Sequence, residues 1–188
     1  LAPDVARLPL CLILTVRDEA LSTQPTLSLL LDWFADPARV TRLALAPLST
    51  EAVGMLIGDR EADAAALHLQ TGGNPFFVTE VLAARSGQLP PTIREAVLAR
   101  TAQLSAPGRA VLQAAAVIGP RSEPDVLTSM LGPVDGDIAE ARAAGMLVSL
   151  GDVLGFRHAL ARQAVLEALP APRAIQLHRL ALDALTAA

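Results

Sequence analysis

Within seven residues, Thr71-Gly72-Gly73-Asn74-Pro75-Phe76-Phe77, the chain ends one helix and begins another. Gly72 and Gly73 can take φ > 0, which suits a helix C-terminus. Asn74 is a good N-cap, and Pro75 follows at the first helical position, where its missing N–H costs nothing. The Ala- and Leu-rich segment Glu61 to Gln70 supplies the helix on one side. On the other, Phe76, Phe77, Val81 and Leu82 recur at helical spacing and give the new helix a buried face. Any fold of this chain has to turn a helix–helix corner here. Two readings of the corner stay open: a packing corner, or a ligand-contacting one, because adjacent glycines before a proline let a backbone approach a flat ligand closely.

Upstream of the corner the pattern is different. Leu10-Cys11-Leu12-Ile13-Leu14-Thr15-Val16 is a continuous apolar run that suits a strand buried on both faces of a parallel sheet. Arg17 follows at the strand end that faces the ligand crevice in open α/β sheets, either as a surface arginine or as a group reaching for phosphate. Pro25 to Phe34 is expected to be a helix and Val40 to Leu45 a second strand, together a crossover unit. Two strands are too few for a stable doubly wound sheet, so part of the sheet is expected to be missing. The chain begins at Leu1 in mid-pattern and is expected to be a piece of a longer protein.

Downstream the chain is helical. Ser49 or Thr50 caps a helix through about Ile57, with Glu51 at its positive end. Helices over Glu61 to Gln70 and Asn74 to Arg85 flank the corner, and Gly87 to Pro91 breaks the pattern as a domain boundary. Thr92-Ile93-Arg94-Glu95 has the form of a capping box. Ser105 caps an Ala-rich helix over Ala106 to Ile118, expected to be buried on most sides. Helices over Glu123 to Leu131 and Asp135 to Ala144 lead to a hairpin of Met146 to Ser149 and Val153 to Arg157, turning at Gly151-Asp152. Helices followed by such a hairpin give a winged-helix pattern, and His158 to Leu169 and Ala171 to Leu185 close the chain.

Composition removes several function classes. All 15 basic residues are Arg, so no mechanism that needs a lysine operates in these residues, including a phosphate-binding loop of the G-x-x-x-x-G-K-[ST] kind. The net charge of −4 and the lack of a basic run leave no electrostatic footprint for nucleic acid. The single Cys11 excludes an internal disulfide and fits a reducing compartment. Three scattered histidines and that cysteine make no metal site. The apolar run Leu8 to Val16 is too short to span a bilayer. No nucleophile–base pairing carries catalysis: Ser149 and His158 are separated by a turn and a strand.

The blocks Thr15-Val16-Arg17-Asp18-Glu19, Thr71 to Phe77, Leu89-Pro90-Pro91-Thr92-Ile93-Arg94-Glu95-Ala96-Val97, and Phe156-Arg157-His158-Ala159-Leu160-Ala161-Arg162-Gln163-Ala164-Val165 stand in one order across nearly the whole chain. In this they resemble the C-terminal part of the AAA+-like ATPase module of signal-transduction (STAND) NTPases. Among these, the large LuxR-type bacterial transcriptional regulators look most similar, and similar modules occur fused to cyclases or kinases. The resemblance implies a mainly α (α+β) chain: the remnant of a P-loop NTPase α/β sheet over 1–48, a helical lid over 49–88, a winged-helix-like domain over 89–170, and the start of a helical region over 171–188.

It also implies roles. Arg17 matches the family's sensor arginine facing the γ-phosphate. Gly73, Asn74 and Pro75 match the glycine-x-proline motif that lies against adenine. His158 sits where a winged-helix histidine reaches the β-phosphate of ADP, although Ala159 stands where related modules often have an acid, and a plain helix-start histidine is the alternative. The implied cofactor is ATP or ADP, with Mg²⁺ in the full-length parent, none of it held tightly by this fragment alone. The phosphate loop, its lysine and the Mg²⁺-binding acid belong to an N-terminal NTPase half upstream of Leu1. In the family's sheet the first strand lies between the fourth and fifth, so the strands expected here would keep unpaired edges that rearrange, pair with another copy or stay poorly ordered. The expected function is part of an ATP/ADP-dependent switch in a cytoplasmic transcriptional regulator, with no direct contact to DNA or membrane. A cyclase- or kinase-linked module, a directly DNA-binding winged helix and a helical scaffold are the competing readings.

Overall fold

A computed structural model describes residues 13–16, 25–33, 41–84 and 89–187. The chain divides into two compact units, Leu1–Ala46 and Pro47–Ala188. It is mainly helical, with one small antiparallel sheet among the described residues.

In the first unit, helix α1 spans Pro25–Trp33. The Arg42 guanidinium donates to the Leu31 carbonyl at 3.1 Å and lies 3.6 Å from the Asp32 carboxylate, tying the following segment to the last turn of the helix. Both charged side chains are well exposed, so the ion pair adds little stability. Of the strands expected over Leu10–Val16 and Val40–Leu45, the described residues 13–16 and 41–45 carry no strand, and the rest of both runs lies outside the described residues. The reason is pairing. A strand leaves its N–H and C=O groups unsatisfied unless a neighbour accepts them, and the described part of this unit offers none. Ile13 is 80% exposed and Leu45 91%, so among the described residues the apolar pattern is present with no sheet to bury it.

The second unit begins with α2, Thr50–Ile57, capped by the Ser49 hydroxyl, which accepts from the Ala52 N–H. Helix α3 spans Ala64–Thr71. It starts three residues later than the Glu61 expected from composition, because the Asp63 carboxylate accepts from both the Ala65 and Ala66 N–H groups and so fixes the first turn. Helix α4 spans Pro75–Ala83. Val53, Ile57, Leu67 and Val78 from these three helices form a small core of their own.

Helix α5, Pro91–Ala102, corrects the expected capping box. Pro90 is the N-cap and Pro91 the first helical residue, so Thr92 falls inside the first turn. Its hydroxyl donates instead to the Glu80 carboxylate on α4. Gly87 and Gln88 of the expected boundary lie outside the described residues, while Leu89 packs on the main core and Pro90 is buried.

Helix α6, Ala106–Ile118, is buried at Val111, Leu112, Ala114, Ala115 and Ala116, and so is covered on most sides as its composition suggests. Its cap is built from two distant pieces. The Ser105 hydroxyl accepts from the Gly108 N–H, and the Glu140 carboxylate takes both the Ser105 N–H, at 2.7 Å, and the Ser105 hydroxyl, at 2.5 Å. In a local capping box the residue at the Gly108 position would supply that carboxylate. Here it arrives from another helix, and a side chain at Gly108 would collide with it.

The sheet is ordered β1–β3–β2, with β1 at Arg121–Ser122, β2 at Leu147–Leu150 and β3 at Val153–Phe156. β2 and β3 form the expected hairpin, Leu147 opposite Phe156 and Leu150 opposite Val153. β1 pairs Arg121 with Gly155 and Ser122 with Leu154. Helices α7, Pro124–Leu131, and α8, Asp135–Ala143, precede the hairpin; α9, Ala159–Glu167, and α10, Ala171–Ala187, follow it. One core joins Ile93, Leu112, Leu127, Leu147, Leu160 and Leu177, all essentially inaccessible to solvent. Phe77 belongs to this core while its neighbour Val78 belongs to the small one, so adjacent residues of α4 join the two.

Candidate functional site

The corner between α3 and α4 forms as its residues dictate. Gly72 is the C-cap of α3 at φ 61°, ψ 25°, and its N–H donates to the His68 carbonyl at 2.7 Å. Gly73 also has positive φ, 69°. The buried Thr71 hydroxyl donates to the Leu67 carbonyl at 2.7 Å and accepts from the Gly73 N–H at 3.3 Å. Asn74 caps α4 by accepting from the Phe76 N–H at 3.0 Å, with Pro75 in the first turn.

The two glycines serve two different neighbours. The Leu48 N–H donates to the Gly73 carbonyl at 2.8 Å, and a Cβ on Gly73 would run into the Leu48 carbonyl oxygen. Gly73 is buried beneath that segment. Gly72 faces the start of α9: a Cβ there would stand 2.6 Å from His158 Nδ1 and 3.3 Å from the Arg157 carbonyl oxygen. His158, half-buried at the N-cap of α9, meets the Phe77 ring edge to face, with centroids 4.9 Å apart and planes at 89°.

Four of the five residues expected at a nucleotide site, Gly73, Asn74, Pro75 and His158, are therefore gathered at one corner of the second unit. The fifth, Arg17, lies outside the described residues. Pro75 is exposed and Asn74 half-buried, so a ring could lie on the proline face, while the Gly73 carbonyl already accepts from Leu48. Leu48, Gly72 and Phe77 were not singled out as site residues from the sequence. The glycine was legible as a helix cap, but nothing local to it signals an imidazole arriving from far along the chain.

Two shallow depressions lie elsewhere. One is lined by Arg60, Glu61, Asp63, Gln70 and Leu82, the other by Leu89, Arg94, Glu95, Leu98, Gln163 and Glu167. Among the described residues no three His, Cys, Asp or Glu side chains come together as metal ligands, and no helix is long and apolar enough to cross a membrane. Compared with protein-family models, curated proteins and solved structures, the chain matches none.

Proposed function

We propose that this chain is the lid half of an ATP/ADP-controlled signalling switch of the STAND type, as in the large LuxR-type transcriptional regulators of the cytoplasm. The observation that supports this reading most is the packing of His158 onto the corner that holds Gly73, Asn74 and Pro75. A glycine corner ending in an exposed proline offers a flat face for a purine. An imidazole held at the same corner offers a donor to a phosphate oxygen, and hydrogen bonds to charged groups are the stronger kind.

On this reading Asn74 and Pro75 lie against the base, with Gly73 shaping the backbone beneath it, and His158 binds the β-phosphate of ADP. Arg17 senses the γ-phosphate. The hairpin between α8 and α9 is the wing of a winged helix, and residues 1–48 are the remnant of a P-loop NTPase sheet. ADP supplies the charge that these residues read. The phosphate loop, its lysine and the Mg²⁺-binding acid come from a preceding NTPase half, and the output domain lies elsewhere in the parent. The acidic net charge of −4 disfavours direct DNA binding by this chain.

The test is a calorimetric titration of ADP into the longer protein that carries the phosphate loop, beside the same protein with His158→Ala. A loss of about 1.5–3 kcal/mol in binding is expected for removal of a charge-assisted hydrogen bond. Equal affinities would make His158 structural, and no binding to either would remove the mechanism.

A further inference from the structure

Gly72 meets two demands at once. Its left-handed backbone is that of a helix C-cap, a role that glycine fills best and asparagine sometimes. Its second demand is steric. A Cβ there would stand 2.6 Å from His158 Nδ1 and 3.3 Å from His158 Cε1, closer than ordinary side-chain contacts. The same imidazole meets Phe77 in the edge-to-face geometry that aromatic rings prefer. Phe77 is only 7% exposed and is fixed in the main core. The ring of His158 is thus held by two residues of one corner, one offering a gap and the other a rigid aromatic wall.

We propose that Gly72 and Phe77 are positioning residues: they form a seat that fixes the His158 imidazole and latches the start of α9 to the α3–α4 corner before any nucleotide is present. The seat stands on contacts within Pro47–Ala188; its consequence for nucleotide rests on the reading of His158 as a phosphate contact. On that reading the side chain is ordered in advance, so binding does not carry that ordering cost. Loosening the seat then weakens ADP without removing any group that touches it.

A double-mutant cycle on the 188-residue chain tests the seat, using Gly72→Ala, His158→Ala and the pair, with urea unfolding as the readout. The strain of a left-handed alanine is common to both backgrounds and cancels. Gly72→Ala alone is expected to lower the folding equilibrium constant on the order of a hundredfold, from backbone strain and overpacking together. In the His158→Ala background it is expected to cost only about tenfold, from the strain and the 3.3 Å approach to the Arg157 carbonyl oxygen that both backgrounds share. An equal cost in both backgrounds overturns the proposal. If Gly72→Ala does not fold, a folded double variant supports the seat and an unfolded one overturns it.

A second measurement needs no variant. Proton NMR of the nucleotide-free protein should show Overhauser contacts from the His158 ring to the Gly72 Hα protons and the Phe77 ring, and their absence overturns the seat. ADP titration of the longer protein then separates the two claims. If the cycle shows coupling while His158→Ala and Phe77→Leu leave ADP affinity unchanged, the seat stands and the nucleotide reading falls. If the coupling is absent, the seat falls whatever ADP does.

Discussion

Gly73→Ala should unfasten the Leu48 segment from the corner, and its cost can be worked from two contributions. The residue sits at φ 69°, where an L-alanine costs about 1–2 kcal/mol. The new Cβ would meet the Leu48 carbonyl oxygen and come within 3.1 Å of the Leu48 nitrogen. These are backbone atoms, which cannot swing aside as a flexible side chain does. Relief therefore comes by moving Leu48, and that breaks the 2.8 Å bond from its N–H to the Gly73 carbonyl. A net loss of about 0.5–1.5 kcal/mol attaches to such a bond. The sum is about 1.5–3.5 kcal/mol, read as a lower urea midpoint at unchanged slope. Amide exchange should show the Leu48 N–H losing protection. Because the obstruction is Leu48 and not the imidazole, His158→Ala should give no rescue. A loss below about 1 kcal/mol with Leu48 still protected would refute the reasoning.

Two further substitutions probe the scaffold around the site. Gly54 lies inside α2 with no positive φ, and a Cβ there would touch only the Ala64 Cβ at an ordinary 3.7 Å. Gly54→Ala should therefore stabilise the chain by about 0.5–1 kcal/mol, and a loss of stability would mean that α2 and α3 pack more closely than described. Glu140 is held below the usual carboxylate range, first by the Ser105 hydroxyl, then by the Ser105 N–H and by nearby Arg109, against some desolvation. A depressed acid stabilises the fold above its unfolded pKa and loses that contribution as pH falls through its folded one. Glu140→Gln should thus be less stable than wild type at pH 7, with the gap closing on acidification below about pH 4.3, the ordinary glutamate value; parallel urea midpoints from pH 7 to 3 would contradict this.

The parts of the fold legible in the sequence were those decided within a few residues. Ser49, Asn74 and Ser105 cap their helices because a short polar side chain needs only the next two or three N–H groups. The hairpin was legible because its two strands flank a two-residue turn. What failed depended on distant partners. Leu10–Val16 has the composition of a buried strand, but no strand forms at residues 13–16 without a neighbour. Thr92 looked like a cap until Pro90 and Pro91 set the start of the helix earlier and Glu80 took its hydroxyl. Arg121–Ser122 is too short to show any period. At the site, the glycine–asparagine–proline corner was readable from cap chemistry, and His158 was marked only by resemblance. That Gly72 admits the imidazole and that Leu48 closes over Gly73 are tertiary facts with no local signature.

The central claim, that His158 and the Gly73–Pro75 corner form one nucleotide site, is tested most directly by histidine NMR on the longer protein carrying the phosphate loop. The ring signals of His158, assigned by their loss in His158→Gln, are followed as ADP is added. His178, in α10, serves as the control within the same chain. The account predicts that ADP moves the His158 ring signals, with His178 unmoved. A protein that binds ADP while the His158 signals stay in place would contradict it.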